Sequence, residues 1–254
     1  MKELRRGFHE AAPNECGEIA IEGVHLLEEA IRSGLKPAVV YFSESASERA
    51  HKILPQLGVR TEALLLPDET FASAVPTENP QGVAALVKPK TFSLETALAA
   101  TPALLLLVAG LQDPGNLGTV ARSAEAFGAS GLLLGEGTVS PWNWKALRAS
   151  AGSLFRLPAV KVELQSMLRD LKTRSIRVLA TSSHKGTPLP EASLAGPTAL
   201  MVGNEGAGVP KDLLAEADEI ISIPHAPRVE SLNAAVATSI VLYEASRQRG
   251  GEFA

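Results

Sequence analysis

The chain is 254 residues long, 45% hydrophobic and 20% charged, a globular mix with apolar material for one large core or two modest ones. A formal net charge of −4 and only 4% aromatics argue against a protein that coats nucleic acid indiscriminately. A polar N-terminus, a lone cysteine (Cys16) and apolar runs far short of the ~18 residues a bilayer requires predict a cytoplasmic protein with no signal peptide, membrane span or disulfide.

From the N-terminus, residues 19–21 form a short apolar strand candidate, and 23–33 carry apolar residues at helical spacing before a stop at Gly34. Residues 38–42 read as a strand, 47–57 as a second amphipathic helix, and 59–65 and 82–87 as two further strands. Alternation of this kind predicts a small α/β unit over residues 1–90. Lys88, Pro89 and Lys90 break the pattern, and a short alanine-rich helix over 93–100 falls in a linker placed at 91–102. Beyond it, over 103–254, come five short runs that are apolar throughout: 104–108, 131–134, 177–180, 199–202 and 219–223. Uniformly apolar strands are the pattern of a parallel sheet covered on both faces. Helices are predicted between them at 119–127, 144–150, 164–173 and 211–216, with a long final helix from 231 to about 249. The second part is therefore a doubly wound α/β domain.

Three segments stand at the carboxyl ends of those strands, where open α/β sheets bind ligands. In VAGLQDPGNLGTVARSAEAFG (108–128), turn residues 113–116 open a helix that presents Arg122. Spacing alone favours a plain turn with a solvated arginine over a ligand site. In ALMVGNEGAGVP (199–210), three glycines permit close backbone approach, and Glu205 among them needs a partner. The third segment, ISIPHAPRVESLNAAVATSIVLYEASRQR (221–249), leads through a proline-bounded loop into the last helix. Ser231 reads as its N-cap, which places Asn233 in the first turn, an unfavourable helix position unless it contacts something.

Other signals are weaker. Gly135-Glu136-Gly137 follows an apolar run, but Ser140 and Pro141 break the dinucleotide fingerprint, which counts against a nicotinamide oxidoreductase. No GxxxxGK[ST] phosphate loop occurs, and Cys16 with the five histidines shows no metal-ligand spacing. Trp142 and Trp144 read as core or dimer-surface anchors.

In their order, DPGNLGTVARSAEAFG, MVGNEGAGVP and IPHAPRVESLNAAVATSIVLYE resemble the SpoU/TrmH family of SPOUT methyltransferases. RASAGSLFRLP (148–158) is similar to the family's stretch between the first two motifs. IAIEGVHLLEEAI with NPQGVAALV more loosely resembles the ribosomal-protein-like RNA substrate-binding domain that many members carry in front. The resemblance implies a trefoil-knotted parallel-sheet α/β domain, S-adenosylmethionine as cofactor, no metal, a homodimer, and methyl transfer to a ribose 2′-hydroxyl of RNA, ribosomal ahead of transfer RNA. Carried over by position, it implies cofactor contacts at the backbone of Gly203, Ile223 and Leu232. Polar catalytic positions fall on Asn116, Arg122, Glu205, Ser231 and Asn233, with Glu205 bracing Arg122 and the loops. His225 and Pro227 stand where the family commonly has Met and Gly.

An arginine is effectively never deprotonated in a protein, so Arg122 is expected to clamp the target's phosphate rather than act as a base. Residues 1–90 hold 10 Lys and Arg against 13 Asp and Glu, so RNA affinity requires a local patch, for which Arg5, Arg6, Arg32 and Lys36 are candidates. The competing reading from another class is a silent RNA-binding or assembly protein that keeps the fold without the chemistry.

Overall fold

A computed structural model describes residues 1–59, 61–183 and 185–250. In chain order, α1 (Lys2–Glu10) precedes β1 (Ile19–Glu22), α2 (Val24–Arg32), β2 (Pro37–Ser43), α3 (Ser47–Ile53), β3 (Glu62–Leu66), α4 (Asp68–Ala72) and β4 (Val83–Val87). There follow α5 (Leu94–Leu98), β5 (Leu104–Ala109), α6 (Pro114–Ala126), β6 (Gly131–Leu134), α7 (Trp144–Ser150), β7 (Ala159–Lys161) and α8 (Leu164–Thr173). The chain closes with β8 (Arg177–Ser182), β9 (Thr187–Pro188), β10 (Thr198–Gly203), α9 (Lys211–Leu214), β11 (Glu219–Ser222) and α10 (Ala234–Gln248).

Two compact units result: Met1–Thr91 with Ser140–Arg156, and Phe92–Val139 with Leu157–Ala254. In the first, a four-stranded sheet runs β1-β4-β2-β3, with β2 and β3 parallel and the other pairs antiparallel. Leu4 and Phe8 of α1, one helical turn apart, pack with Phe71 of α4 on Ala20, Tyr41, Ala84 and Leu86 of the sheet. A β-carbon on Gly82, at φ +76°, would lie 2.4 Å from Ser43 Oγ and 2.6 Å from Ala46 Cβ, so β4 enters under the β2–α3 turn only through glycine. By chain position 140–156 lies beyond β6; by packing it belongs here. Ser140 Oγ donates to the Ala11 carbonyl, and Arg156 donates to the buried Glu29 at 2.8 Å and to Ser33 Oγ at 3.0 Å.

In the second unit, a seven-stranded sheet runs β7-β6-β5-β10-β8-β11-β9 with every pair parallel. Every residue of β5, β6 and β10 is buried, as strands covered on both faces require. Leu164, Met167, Leu168 and Leu171 of α8 pack with Ala97 of α5 on one face. On α10, Val241 and Leu242 are buried, and the helix lies along α6 and β10. β10, made late, lies between β5 and β8, so the strand order switches where its carboxyl end opens.

The predicted strands and helices correspond to observed elements, with three corrections of substance. α6 begins at Pro114 rather than 119, because Asp113 caps it and proline suits the first helical position. α10 begins at Ala234, capped by Asn233 and not by Ser231. β3 begins at Glu62 rather than 59; Arg60, within the predicted run, lies outside the described residues. Four elements, α1, α4, β7 and β9, have no counterpart among those expected from the sequence.

Candidate active site

Two helix N-termini frame the carboxyl edge of the second unit's sheet. At α6, Asp113 Oδ1 accepts the Asn116 backbone N–H at 2.7 Å, which puts the Asn116 side chain in the first turn. At α10, Asn233 Oδ1 accepts from the Ala235 and Val236 N–H groups at 2.9 and 3.2 Å. Asparagine is a better cap than a first-turn residue, and that resolves its unfavourable predicted position. Ser231 lies outside the helix, in the loop before it.

Glu205 connects the middle motif to the first. Its carboxylate accepts from the backbone N–H of Gln112 (3.2 Å) and Asp113 (2.9 Å) and from Asn116 Nδ2 (3.0 Å). A carboxylate only accepts, so the Asn116 amide must turn its nitrogen to Glu205 and its oxygen away. That oxygen accepts from Asn233 Nδ2 at 3.0 Å. The result is a directional chain from the N–H groups of α10 through two amides to one carboxylate. Desolvation acts to raise the Glu205 carboxyl, but the Asn116 amide and the backbone N–H groups outweigh it and hold the group below the usual carboxylate range.

The loop 203–209 closes on itself. The Asn204 and Gly208 main chains exchange two hydrogen bonds, at 3.0 and 2.9 Å. A β-carbon at Gly203 would lie 2.0 Å from the Gly208 carbonyl carbon, so this glycine admits the chain's own backbone. Asn204 locks the turn: its Oδ1 accepts from Gly206 and Ala207 N–H, and its Nδ2 donates to the Gly110 carbonyl at 3.0 Å. Sequence reasoning passed over Asn204, although an asparagine among turn glycines is the signal for this role.

Beside this loop lies a cavity of about 400 Å³, and Gly203, Ile223 and Leu232 all line it, together with Glu205 and Ser231. Its other walls include Thr181, Ser182, Ser183 and Lys211, which the sequence did not single out. The size, the apolar floor of Ile221 and Val241 and the rim of backbone and hydroxyl groups suit a nucleoside-sized ligand. His225 also lines it, with Nδ1 2.7 Å from the Ile223 carbonyl oxygen and Nε2 3.1 Å from that of Val229, spanning the loop before α10.

Arg122 stands apart from this chain. It is exposed on α6 and has no ion pair or hydrogen bond among the described residues, so Glu205 braces Asn116 and the 112–113 backbone instead. Among the cations proposed in the first unit, Arg5 donates to Ser73 at its carbonyl (3.2 Å) and hydroxyl (3.1 Å). Arg6 pairs with Glu10 at 2.8 Å and Glu15 at 4.0 Å, Arg32 pairs with Glu29, and Lys36 is exposed. Among the described residues, no cluster of His, Cys, Asp or Glu could hold a metal ion, and no helix is long and apolar enough to cross a membrane.

Residues 103–243 match the SpoU rRNA Methylase family, and residues 20–93 match the family described as RNA 2′-O ribose methyltransferase substrate binding. The chain is 38% identical to the Bacillus subtilis 23S rRNA (guanosine(2553)-2′-O)-methyltransferase RlmP, over 88% of this chain and 86% of that protein. The SpoU methyltransferase AviRb from Streptomyces viridochromogenes, solved in complex with AdoMet, superposes with a TM-score of 0.84 at 30% identity, covering 96% of this chain and 97% of the other. The A. aeolicus TrmH/SpoU tRNA modifying enzyme aligns over 59% of this chain and 76% of its own, with a TM-score of 0.52 at 29% identity. With the family model matched over residues 103–243 and a relative 38% identical over 88% of its length, the chain belongs to the SpoU rRNA methylase family.

Proposed function

We propose that the protein is an S-adenosylmethionine-dependent RNA 2′-O-ribose methyltransferase acting on ribosomal RNA in the cytoplasm. The observation that carries this reading is the Asn233–Asn116–Glu205 chain, which ends on a carboxylate in the wall of the cavity lined by Gly203, Ile223 and Leu232. Ribosomal rather than transfer RNA is supported by the near full-length match to a 23S rRNA enzyme, against a match of 59% of the chain to a tRNA modifying enzyme. Residues 1–90 are assigned to RNA binding, 91–102 to the linker and 103–254 to catalysis. A trefoil knot in the catalytic part is supported by the late strand β10 lying between β5 and β8.

When bound, the cofactor supplies a methyl group on a sulfonium sulfur, a leaving group that is already activated. The backbone at Gly203, Ile223 and Leu232 would hold it, with Ser231 shaping the wall of the same cavity. Asn116 and Asn233, each fixed by the chain that ends on Glu205, orient the acceptor ribose at the two helix N-termini. Positioning of this kind supplies much of the acceleration. Glu205 already accepts three hydrogen bonds, and a guanidinium does not deprotonate near neutral pH, so the 2′-hydroxyl proton would leave to solvent water. Arg122, with no internal partner, clamps the phosphate next to the target ribose. A homodimer is supported by the exposed apolar stripe of Val236, Ile240 and Tyr243 on α10.

The test combines calorimetric titration with S-adenosylmethionine and mapping of 2′-O-methylation across 23S rRNA and tRNA in cells with and without the gene. The expected result is cofactor binding and one 23S position lost on deletion. Absence of cofactor binding sinks the enzyme reading, and loss of a tRNA mark alone overturns the choice of substrate.

A further inference from the structure

A line of cations crosses the first unit away from the residues considered so far. Arg49 and Lys52 of α3 line a groove of about 350 Å³ against α2, with Gln81 at one wall and Glu28 as the one acid among the lining residues. Arg49 is not tied to a carboxylate: it donates to the neutral carbonyl of Gln81. The same 77–82 turn reaches onward, where Thr77 donates to the buried Glu22 and accepts from Arg148 Nη1 at 3.4 Å. On α7, Arg148 and Lys145 stand over the half-buried Trp144 ring, at 5.7 and 5.5 Å from its centre. Lys52, Arg49, Arg148 and Lys145 thus follow one turn of chain, with an aromatic ring at the far end. Lys52 and Lys145 make no ion pair among the described residues.

The structure assigns this stripe, Lys52–Arg49–Gln81–Arg148–Lys145 with Trp144, as the surface on which the first unit holds the RNA backbone. The assignment rests on the proposed RNA methyltransferase reading. A cation already facing a carboxylate offers a phosphate less than a free one, because the internal pair must be given up. Arg6 and Arg32 are paired in that way, whereas in the stripe Lys52 and Lys145 carry no ion pair among the described residues, Arg49 meets only the neutral Gln81 carbonyl, and Arg148, exposed, reaches Thr77 beside the buried Glu22. Phosphate contacts release counterions and so carry most of the affinity. The stripe also explains how a chain of net charge −4 binds RNA: the cations are gathered, not numerous.

The test measures binding of the full chain to a fluorescently labelled transcript of 23S rRNA over a range of salt. Arg49→Gln, Lys52→Gln, Lys145→Gln and Arg148→Gln combined should weaken binding about 30-fold and flatten the salt slope by about three. Its S-adenosylmethionine affinity and melting temperature should stay at parental values. If the fourfold variant is unstable, Lys52→Gln with Lys145→Gln, both at exposed unpaired positions, should still flatten the slope by about one to two. Affinity and slope within about twofold of the parent in both variants overturn the assignment. So does a loss of binding confined to neutralisation of Arg5, Arg6, Arg32 and Lys36. A parent that binds the cofactor but no transcript overturns both this surface and the proposed substrate, whereas a parent that binds transcript but not cofactor overturns the enzyme reading alone.

Discussion

Glu205 is an exposed carboxylate with three donors aimed at it, and those contacts decide what it does. Glu205→Gln leaves one oxygen for three donors and turns an amide nitrogen toward another donor. Turnover should fall about 10- to 100-fold, with the fold retained, as measured by methyl transfer to transcript and by melting. The pH dependence follows from the same contacts. Folding favours the ionised form, so the stabilisation is complete above the unfolded carboxylate value of about 4.3 and is lost as pH falls through the lower folded value. Melting temperature should therefore be insensitive to this group through neutral pH, with an acid limb that is shallower in the Gln variant. The need for a partner at Glu205 was legible in the sequence, since a charge among loop glycines demands one. The identity of the partner was not: Asn116 lies 89 residues away, and Arg122 was the more obvious charge to pair. The resemblance implies that Glu205 braces both Arg122 and the loops; the structure has it brace the loop, through one amide and two backbone N–H groups at fixed positions, and not Arg122.

Helices α6 and α10 run side by side through matched contacts: Asn116 with Asn233, Ser123 Oγ with Ser239 Oγ at 2.7 Å, and Phe127 edge-to-face with Tyr243 at 5.8 Å. The outer side of α10 leaves Val236, Ile240 and Tyr243 49%, 37% and 51% exposed, three positions one turn apart. Ile240→Asp should convert dimer to monomer in sedimentation velocity at micromolar protein, with S-adenosylmethionine affinity reporting whether the partner supports the cavity. A monomeric parent would remove the dimer from the account. Strand positions and most helix centres were readable because apolar runs and 3.6-residue spacing survive in any context. Helix starts were not, for a reason visible at 113–116: Asp, Pro, Gly and Asn belong equally to turns and to the first turn of a helix. Only the cap geometry separates the two.

At the scale of the whole molecule, the parallel sheet and the smaller α/β unit before it were legible, as were the three loops gathered at one sheet edge. The ownership of residues 140–156 was not, because a helical period shows that a helix forms and not which core it joins. Residues 1–102 produced alone would leave Glu29 without Arg156 and the Ala11 carbonyl without Ser140. Such a fragment should melt well below the first unit of the intact chain and show amide exchange throughout, and addition of a peptide of residues 140–156 should raise its protection. Full protection without the peptide would show that the segment is only an accessory. In the cell the same interleaving sets a timetable. The ribosome delivers the last strand of the first sheet at Val87, but the piece that completes this unit ends at Arg156. At roughly 5–20 residues per second, the nascent N-terminal unit waits about 3 to 14 seconds for the rest of itself. During that interval its unfinished face is open to chaperones, and to any RNA close to the site of synthesis.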